Sequence, residues 1–289
     1  MALMPDDLVS RNNRLRHILF TYALMSVLAV LFLFPVLFML ISSIKNEESQ
    51  VLSDMSTLWA FVPRGDIGVK NYLDCFQAMP FGRFVFNSLL IVGTTVLLGL
   101  LVNSLIAYAL ARFRFRGRAV LLSVIIALII VPLEAVAVPM LLLVNVFGWL
   151  DSYHVQIVPF IADALSIYLF YQFFINFPIE LEEAALVDGA SRFRIYWSIV
   201  LPLSRPILAT VAILQFMIHW GDFLWPLMVT RGETYRPLPI AMQQYFTMEP
   251  KLWGDIMAFA AMITVPVLIV FCIFQKWFVK SVASTGIKG

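Results

Sequence analysis

Charged side chains are scarce in this sequence of 289 residues. Asp, Glu, Lys and Arg make up 13% of it, whereas hydrophobic residues make up 61% and the mean hydropathy is +0.89. Soluble globular domains contain about 25% charged and about 45–50% apolar residues. The composition therefore argues against a soluble enzyme, a nucleic-acid-binding protein and a disordered protein. It predicts a polytopic membrane protein.

Residues and motifs that bind metals or catalyse reactions are also rare. Two cysteines, Cys75 and Cys272, are too few for a disulfide framework or a zinc cluster, and three histidines make a metal site unexpected. The P-loop pattern G-x-x-x-x-G-K-[ST] is missing, as are H-E-x-x-H, C-x-x-C and G-x-S-x-G. We therefore expect a catalytically silent chain with no metal or cofactor of its own.

Long apolar segments dominate what is present. A helix that crosses a bilayer needs roughly 20 apolar residues. Six segments meet this requirement: Ile18–Ile44, Phe84–Ala111, Ala119–Val144, Val155–Phe177, Ile207–Thr230 and Asp255–Val279. The first is longer than the apolar region of a signal peptide, and no cleavage motif follows it, so it is predicted to be retained. The sequence thus predicts one membrane domain over residues 1–289 with six transmembrane helices.

The basic residues predict the orientation of these spans. With a cytoplasmic N-terminus, 13 of the 20 basic residues fall on the cytoplasmic side. These are Arg11, Arg14, Arg16, Arg112, Arg114, Arg116, Arg118, Arg192, Arg194, Arg205, Lys276, Lys280 and Lys288. Both termini are therefore predicted to be cytoplasmic, and the loops 45–83, 148–154 and 231–254 are predicted to lie outside.

The segment 178–206, between the fourth and fifth spans, is too polar to cross the bilayer. Pro178 suits the first turn of a helix. The acidic residues that follow it are stabilised near the positive, N-terminal end of the helix dipole. Gly189 permits a turn, after which a second short helix is predicted over Ser191–Ile199. The segment is therefore predicted to form a cytoplasmic helix–turn–helix elbow that fits a cleft in another protein.

A known motif lies within this elbow. Glu183-Ala184-Ala185, then Gly189, then Ile199-x-Leu201-Pro202 have the residues and spacing of the EAA motif of ABC importer permeases. The chain also resembles the maltose- and glycerol-phosphate-type permeases over most of its length, for example at Leu224-Trp225-Pro226-Leu227. The resemblance implies an all-α fold of the type I ABC importer permease class.

The resemblance further implies that the elbow is a coupling helix that docks on a cytoplasmic ATPase subunit. The residues implied in coupling are Glu182, Glu183, Ala184, Ala185, Asp188, Gly189, Ala190, Leu201 and Pro202. The C-terminal tail, 280–289, is implied to reach the ATPase dimer through Thr285, Gly286, Lys288 and Gly289.

The same resemblance implies a set of partners. Two ATPase subunits would bind ATP and Mg, and a second homologous permease subunit would complete the membrane pore. An extracytoplasmic solute-binding protein would deliver the small-molecule substrate. Membrane lipid surrounds the spans, and no nucleic acid is expected as a partner.

Three acidic residues lie inside predicted spans. A charged side chain in the hydrocarbon core costs free energy, so such residues usually have a function. At 1.5 Å per residue of continuous helix, Glu134, Asp163 and Asp222 would lie roughly 12–15 Å deep, near the midplane. Carboxylate and aromatic groups together suit a polyol, so Glu134, His219, Trp220 and Asp222 are hypothesised to line the translocation path. The alternatives are a structural polar network, a contact with the partner permease and a hydrated surface at the outer gate.

Two functions stay open at this point. The first is ATP-driven, binding-protein-dependent import of a carbohydrate or polyol-type solute through a bacterial cytoplasmic membrane, by alternating access. The alternative is an ion-coupled secondary transporter in which Glu134, Asp163 and Asp222 bind protons or sodium ions. The elbow motif has no role in that alternative. A membrane-embedded enzyme is disfavoured because no nucleophile–base or metal motif is present.

Overall fold

The computed structural model describes the backbone of residues 5–286 and the side chains of residues 16–275. Within these limits the chain is helical and forms no β-strand, apart from a single bridge between Lys45 and Ile67. The backbone groups into two compact units. One comprises the residues up to Met79 together with Phe246–Met262, and the other comprises Pro80–Tyr245 and the chain that follows Met262.

The first unit contains the N-terminal span and the segment predicted to lie outside. Its helices are α1 (Pro5–Ser43), α2 (Glu48–Asp54), a 3₁₀ turn (Leu58–Phe61), α3 (Lys70–Ala78) and the start of α15 (Trp253–Gly286). The carboxylate of Glu48 accepts hydrogen bonds from the amides of Trp253 at 2.8 Å and Gly254 at 3.0 Å. This contact fixes the start of α15 to α2, because the first amides of a helix have no partner within the helix.

A buried charge cluster organises the segment that follows α1. Lys45 is buried, and its Nζ donates to Asp54 Oδ2 at 2.8 Å and to the carbonyl of Trp59 at 2.9 Å. Arg64 also pairs with Asp54, and its guanidinium lies 4.7 Å from the centre of the Trp59 ring. A buried carboxylate needs such partners to offset its loss of hydration. The cluster therefore holds α2 and the 3₁₀ turn together.

The second unit contains most of the apolar helices. They are α4 (Phe81–Arg112), α5 (Arg118–Ile129), α6 (Leu133–Val146), α7 (Tyr153–Ile157), a 3₁₀ turn (Val158–Phe160), α8 (Ala164–Ile175), α9 (Ile179–Val187), α10 (Arg192–Ile195), a π-helical turn (Tyr196–Val200), α11 (Leu201–Leu203), α12 (Arg205–Trp220), α13 (Leu224–Val229) and α14 (Leu238–Phe246). Its buried core joins α4, α8, the elbow and the start of α12, with Tyr108, Phe170, Phe174 and Tyr196 among its members.

Four described helical segments are long and apolar enough to cross a bilayer. They are Arg16–Ser43, Phe81–Arg112, Tyr153–Ile175 and Trp253–Gln275. Two bent helix pairs raise the number to six when each pair counts as one span. The six predicted spans correspond to this upper count. The prediction of one domain over residues 1–289 stays a prediction.

The third predicted span, Ala119–Val144, is not a continuous helix. It consists of α5 and α6, and the chain bends by 107° between them. The break falls before Pro132, which precedes α6 with an extended backbone. Proline disfavours helical geometry in the residue before it and offers no amide hydrogen, so the helix ends ahead of it. Pro139, in contrast, lies inside α6 without ending it.

The fifth predicted span, Ile207–Thr230, is also discontinuous. Helix α12 ends at Trp220, three residues follow without helical structure, and α13 begins at Leu224. Gly221 lies at this break, and glycine is a poor helix former. The fourth predicted span, Val155–Phe177, contains the 3₁₀ turn and the non-helical residues 161–163, but Tyr153–Ile175 still counts as one span and not as a bent pair.

The sixth predicted span, Asp255–Val279, lies within the longer helix α15, which continues to Gly286. Residues 276–285 contain neither proline nor glycine, so nothing in that stretch ends the helix. Thr285 and Gly286 therefore belong to the last turn of α15 rather than to a separate tail. Lys288 and Gly289 lie outside the described residues.

Candidate coupling site

The elbow has the predicted helix–turn–helix form. Helix α9 begins directly after Pro178. At its end the backbone amide of Gly189 donates a hydrogen bond to Leu186 O at 3.0 Å, and that of Ala190 donates to Ala185 O at 2.9 Å. Gly189 has φ +79°, a left-handed conformation that glycine adopts without strain. The second helix continues further than predicted, from Arg192 through the π-helical turn to Leu203, instead of ending near Ile199.

One acidic residue of the elbow points into the protein. Glu182 is fully buried, and its Oε2 accepts a hydrogen bond from the Tyr108 hydroxyl at 2.8 Å. Its Oε1 accepts from Arg112 Nε at 2.6 Å, and the Arg192 guanidinium lies 3.8 Å from Oε2. Arg112 also donates to the carbonyl of Phe177 at 2.7 Å. These donors offset the cost of burying the carboxylate and fix α9 to the end of α4.

Apolar packing supports the same attachment. Ala185, one turn after Glu182, is buried in the core formed by α4 and α8. The Tyr196 ring lies 5.2 Å from that of Tyr108, and its hydroxyl is 2.7 Å from Ser104 Oγ. Both halves of the elbow therefore contact α4.

The opposite side of the elbow is exposed. Val187 is 89% exposed, and Phe193 and Trp197 are 68% and 52% exposed, with their rings stacked at 6.4 Å. Glu183 and Asp188 are also exposed. We call these five residues the elbow surface. Large exposed apolar side chains beside charged ones are typical of protein interaction sites.

The structure thus separates the predicted coupling residues into three groups by burial. Glu182 and Ala185 are buried, whereas Glu183, Ala184, Asp188, Gly189 and Pro202 are exposed, and Ala190 and Leu201 are half-buried. The prediction did not include Tyr108 and Arg112, because no spacing rule links residues about 70 positions apart. It also did not include Val187, Phe193 and Trp197. Their signal was available, since they are large apolar residues in a segment too polar to span.

The residues predicted to line the translocation path lie at helix breaks or in polar contacts. Glu134 is exposed in the first turn of α6, and Asp222 is half-buried between α12 and α13. The predicted depth assumed continuous helices, so it does not apply to these two residues. Within residues 16–275, no side-chain hydrogen bond or ion pair joins Glu134 to His219, Trp220 or Asp222.

His219 belongs to a chain of hydrogen-bonded polar side chains that no sequence motif indicates. Its Nε2 lies 2.8 Å from Gln215 Oε1, and Gln215 Nε2 donates to Ser166 Oγ at 2.8 Å. The amide of Ser166 donates to Asp163 Oδ1 at 2.7 Å, so Asp163 caps α8. Trp220 is buried, and its indole donates to the carbonyl of Ile263 at 3.0 Å. The place of His219 and Trp220 in the translocation path stays a prediction.

Comparison with known proteins identifies the family. Residues 96–284 match the family described as "Binding-protein-dependent transport system inner membrane component". The chain is 31% identical to the arabinooligosaccharides transport system permease protein AraQ of Bacillus subtilis (strain 168), over 91% of this chain and 93% of the relative. It is 32% identical to the sulfoquinovosyl glycerol transport system permease protein SmoH of Agrobacterium fabrum, over 91% and 92%.

A solved structure supports the fold. A crystal structure of a bacterial ABC transporter involved in the import of the acidic polysaccharide alginate contains a chain that superposes with a TM-score of 0.80. The two chains are 24% identical over 93% of this chain and 98% of the other. From the family match and the two relatives, the chain belongs to the inner membrane components of binding-protein-dependent transport systems.

Proposed function

We propose that the chain is a permease subunit of an ATP-driven, binding-protein-dependent importer of a carbohydrate or polyol-type solute. Family membership supports the transport mechanism. The solutes of the relatives and of the similar structure support the solute class, because arabinooligosaccharides, sulfoquinovosyl glycerol and alginate are all saccharides or saccharide derivatives. The ion-coupled alternative receives no support from these comparisons.

The elbow is the observation that carries this proposal. The buried Glu182 and Ala185 attach it to the neighbouring helices of the second unit. Glu183 and Val187 are exposed on the side away from that attachment. A surface of this kind on a cytoplasmic segment is suited to a protein partner. We assign that partner as the ATPase subunit, which binds ATP and Mg, while this chain provides no catalytic residue.

The docking assignment is testable by site-specific cross-linking. The background variant carries Cys272→Ala, because Cys272 is exposed, whereas Cys75 is buried. In this background Val187→Cys places a thiol on the elbow surface, and Ala185→Cys places one on the buried side of the same helix. We expect a thiol-reactive photo-cross-linker to join the ATPase subunit to the Val187→Cys variant but not to the Ala185→Cys variant. Equal cross-linking of both variants, or of neither, contradicts the assignment.

The remaining partners and the orientation follow from the same proposal. A second homologous permease subunit completes the pore, and an extracytoplasmic binding protein docks on the loops 45–83 and 231–254. The excess of basic residues on one side supports cytoplasmic termini. In a bacterial cytoplasmic membrane, this orientation puts the elbow and the C-terminal residues Thr285, Gly286, Lys288 and Gly289 on the side of the ATPase.

We also propose that Glu134, His219, Trp220 and Asp222 belong to the solute path. The positions of Glu134 and Asp222 at helix breaks support this role, because transporter sites are typically formed by discontinuous membrane helices. Trp220 then acts by positioning its neighbours, since its indole is buried. Asp163 is left out of the path because its carboxylate already caps α8.

A further inference from the structure

Helix α4 differs from every other described span. The segments Arg16–Ser43, Tyr153–Ile175 and Trp253–Gln275 each contain a proline, and the two remaining spans are bent helix pairs. Helix α4 has neither a proline nor a break over its 32 residues. Sharp bends in helices mostly arise at prolines or at interruptions of the hydrogen-bond ladder. The glycines Gly82, Gly93 and Gly99 do not interrupt it. Among the described spans, α4 is therefore the one continuous helix that contains no proline.

The cytoplasmic end of α4 is bonded to the elbow. Arg112, its last residue, donates to Glu182 Oε1 at 2.6 Å, and Tyr108, one turn earlier, donates to Glu182 Oε2 at 2.8 Å. Glu182 is fully buried, and the Arg112 side chain is 8% exposed. Two donors on successive turns of α4 hold one carboxylate, so a displacement of α9 carries the end of α4 with it.

The other end of α4 is bonded to the third outer loop. The amide nitrogen of Asn87 donates to the carbonyls of Thr234 at 2.9 Å and Arg236 at 2.8 Å. Its amide oxygen accepts from the Tyr153 hydroxyl at 2.7 Å. Asn87 is fully buried, and the next residue, Ser88, accepts a hydrogen bond from the amide of Leu238 at 2.8 Å. The side chain of Asn87 thus makes three hydrogen bonds, and two of them reach the loop.

The distance between the two ends fits the bilayer. Asn87 and Arg112 are separated by about 38 Å along the helix axis, at 1.5 Å per residue. The hydrocarbon core is about 30 Å thick. The two contacts are therefore far enough apart to lie at opposite surfaces of a bilayer. Between them, Asn103 donates to the carbonyl of Ile161 at 3.1 Å and accepts from the amide of Asp163 at 3.0 Å.

We propose that α4 is a rigid connector that links the ATPase-facing elbow to the outer loop 231–238, through Glu182–Arg112 at one end and Asn87 at the other. This inference rests on the proposed function. Binding of the solute-loaded binding protein at the outer loop changes the position of α4 and therefore of the elbow. Because coupling between two binding sites is reciprocal, ATP-driven movement of the elbow acts on the outer loop through the same helix. Glu182 and Asn87 are positioning residues in this scheme.

The test uses the complete transporter in proteoliposomes with its binding protein and ATP. The variants are Glu182→Gln, Asn87→Ala and the double variant. Thr95→Val is the matched control, since the Thr95 hydroxyl is buried on α4 and has no hydrogen-bond partner among the described residues. The readouts are the amount of ATPase subunit that co-purifies, the stimulation of ATP hydrolysis by the binding protein, and the solute transported per ATP hydrolysed.

We expect each single variant to retain the ATPase subunit. The stimulation of ATP hydrolysis or the solute transported per ATP should fall at least tenfold. The double variant should be no worse than the single variants, because all of them interrupt one connection. Thr95→Val should remain within twofold of the unaltered transporter. When Glu182→Gln fails to assemble, Asn87→Ala decides alone, because its change lies at the far end of α4.

Three outcomes overturn the connector. The first is that stimulation of ATP hydrolysis and solute transported per ATP both stay within twofold of normal in Asn87→Ala or in an assembled Glu182→Gln variant. The second is a double variant whose loss is the product of the two single losses, which indicates independent routes. The third is loss of assembly in both single variants, which indicates a purely structural role. An unaltered transporter without ATP-dependent uptake refutes the proposed function instead.

Discussion

Glu182 and Glu183 are adjacent in the sequence but face opposite environments. Glu182 is fully buried and lies 2.6 Å from Arg112 Nε, whereas Glu183 is exposed on the elbow surface. Neighbouring residues of a helix are separated by about 100° around its axis, so one acid can join the core while the next faces outwards. Glu182 therefore has its partners inside this chain, whereas the proposed docking of the ATPase subunit assigns Glu183 to the interface.

The exposed position of Glu183 predicts a defect in docking without a defect in folding. Replacing Glu183 by Lys should reduce co-purification of the ATPase subunit at least tenfold, because it reverses a charge at the interface. The free energy of unfolding of the permease should change by less than about 0.5 kcal/mol, as is usual at exposed positions. A pull-down and a thermal melt measure the two effects. Unchanged co-purification contradicts this assignment for Glu183.

Gly189 offers a test of why the turn contains glycine. A β-carbon at this position would meet no atom within 4 Å, so the chain has room for a side chain. The constraint on residue 189 is its backbone conformation, with φ +79°. Gly189→Val should destabilise the permease by about 1–2 kcal/mol, because a β-branched residue is strained in the left-handed region. Gly189→Asn should be tolerated in folding, since asparagine visits that region.

The same pair of variants reports on the partner. Both add atoms to the exposed turn, so a close approach of the ATPase subunit predicts that both reduce its co-purification. Normal docking of Gly189→Asn together with poor docking of Gly189→Val indicates that only the backbone conformation matters. The melting temperature of each purified variant separates the two effects.

Asp163 should behave as a helix cap and not as an ion ligand. Its carboxylate accepts a hydrogen bond from the amide of Ser166 at 2.7 Å. Asp163→Ala should cost about 1 kcal/mol of stability, whereas Asp163→Asn should cost a few tenths, because asparagine caps helices well. Uptake by Asp163→Asn should remain within twofold of normal. An abolished uptake in this variant, with normal folding, supports the ion-coupled alternative.

The buried cluster of the first unit predicts a defined pH dependence. Hydrogen bonds from Arg64 and Lys45 lower the pKa of Asp54 from 3.8 to about 2. A carboxylate whose pKa is lower in the folded state stabilises the fold above its unfolded pKa and loses this contribution as pH falls through the folded pKa. The stability difference between the unaltered chain and Asp54→Asn should be constant from pH 7 to about 4, and it should shrink towards pH 2.

Thermal melts at a series of pH values measure this difference. Glu47→Gln is the control, because Glu47 is an exposed acid directly before helix α2 and its side chain makes no capping hydrogen bond. The melting temperature of this variant should follow that of the unaltered chain at every pH. If the stability difference between the unaltered chain and Asp54→Asn already changes between pH 7 and 5, the pKa of Asp54 is not lowered.

The sequence predicted the helical class, the number of apolar segments and the elbow, because each depends on local composition and spacing. Hydropathy identified the third and fifth spans, but it could not show that they are bent pairs. Pro132 marked one break, whereas Pro139 lies inside a continuous helix. Local rules do not separate these two prolines, since the outcome depends on whether neighbouring helices can satisfy the freed backbone groups.

The connections of the coupling site were beyond prediction for a related reason. The contacts of Glu182 with Tyr108 and Arg112, and of Asn87 with Arg236, join residues that are between 70 and 149 positions apart. Such pairs are set by the packing of helices in three dimensions. The sequence provided the residue types, namely a carboxylate, a tyrosine and an arginine near helix ends, and the structure showed which of them meet.

In the proposed function, ATP hydrolysis in a partner subunit drives uptake through this chain. The most direct measurement follows the uptake of the saccharide retained by the cognate binding protein, in proteoliposomes that contain the assembled transporter and enclosed ATP. Vanadate, which inhibits ATPases of this kind, should abolish uptake, and an uncoupler that dissipates ion gradients should leave it unchanged. Uptake that persists in vanadate and collapses with the uncoupler contradicts the account.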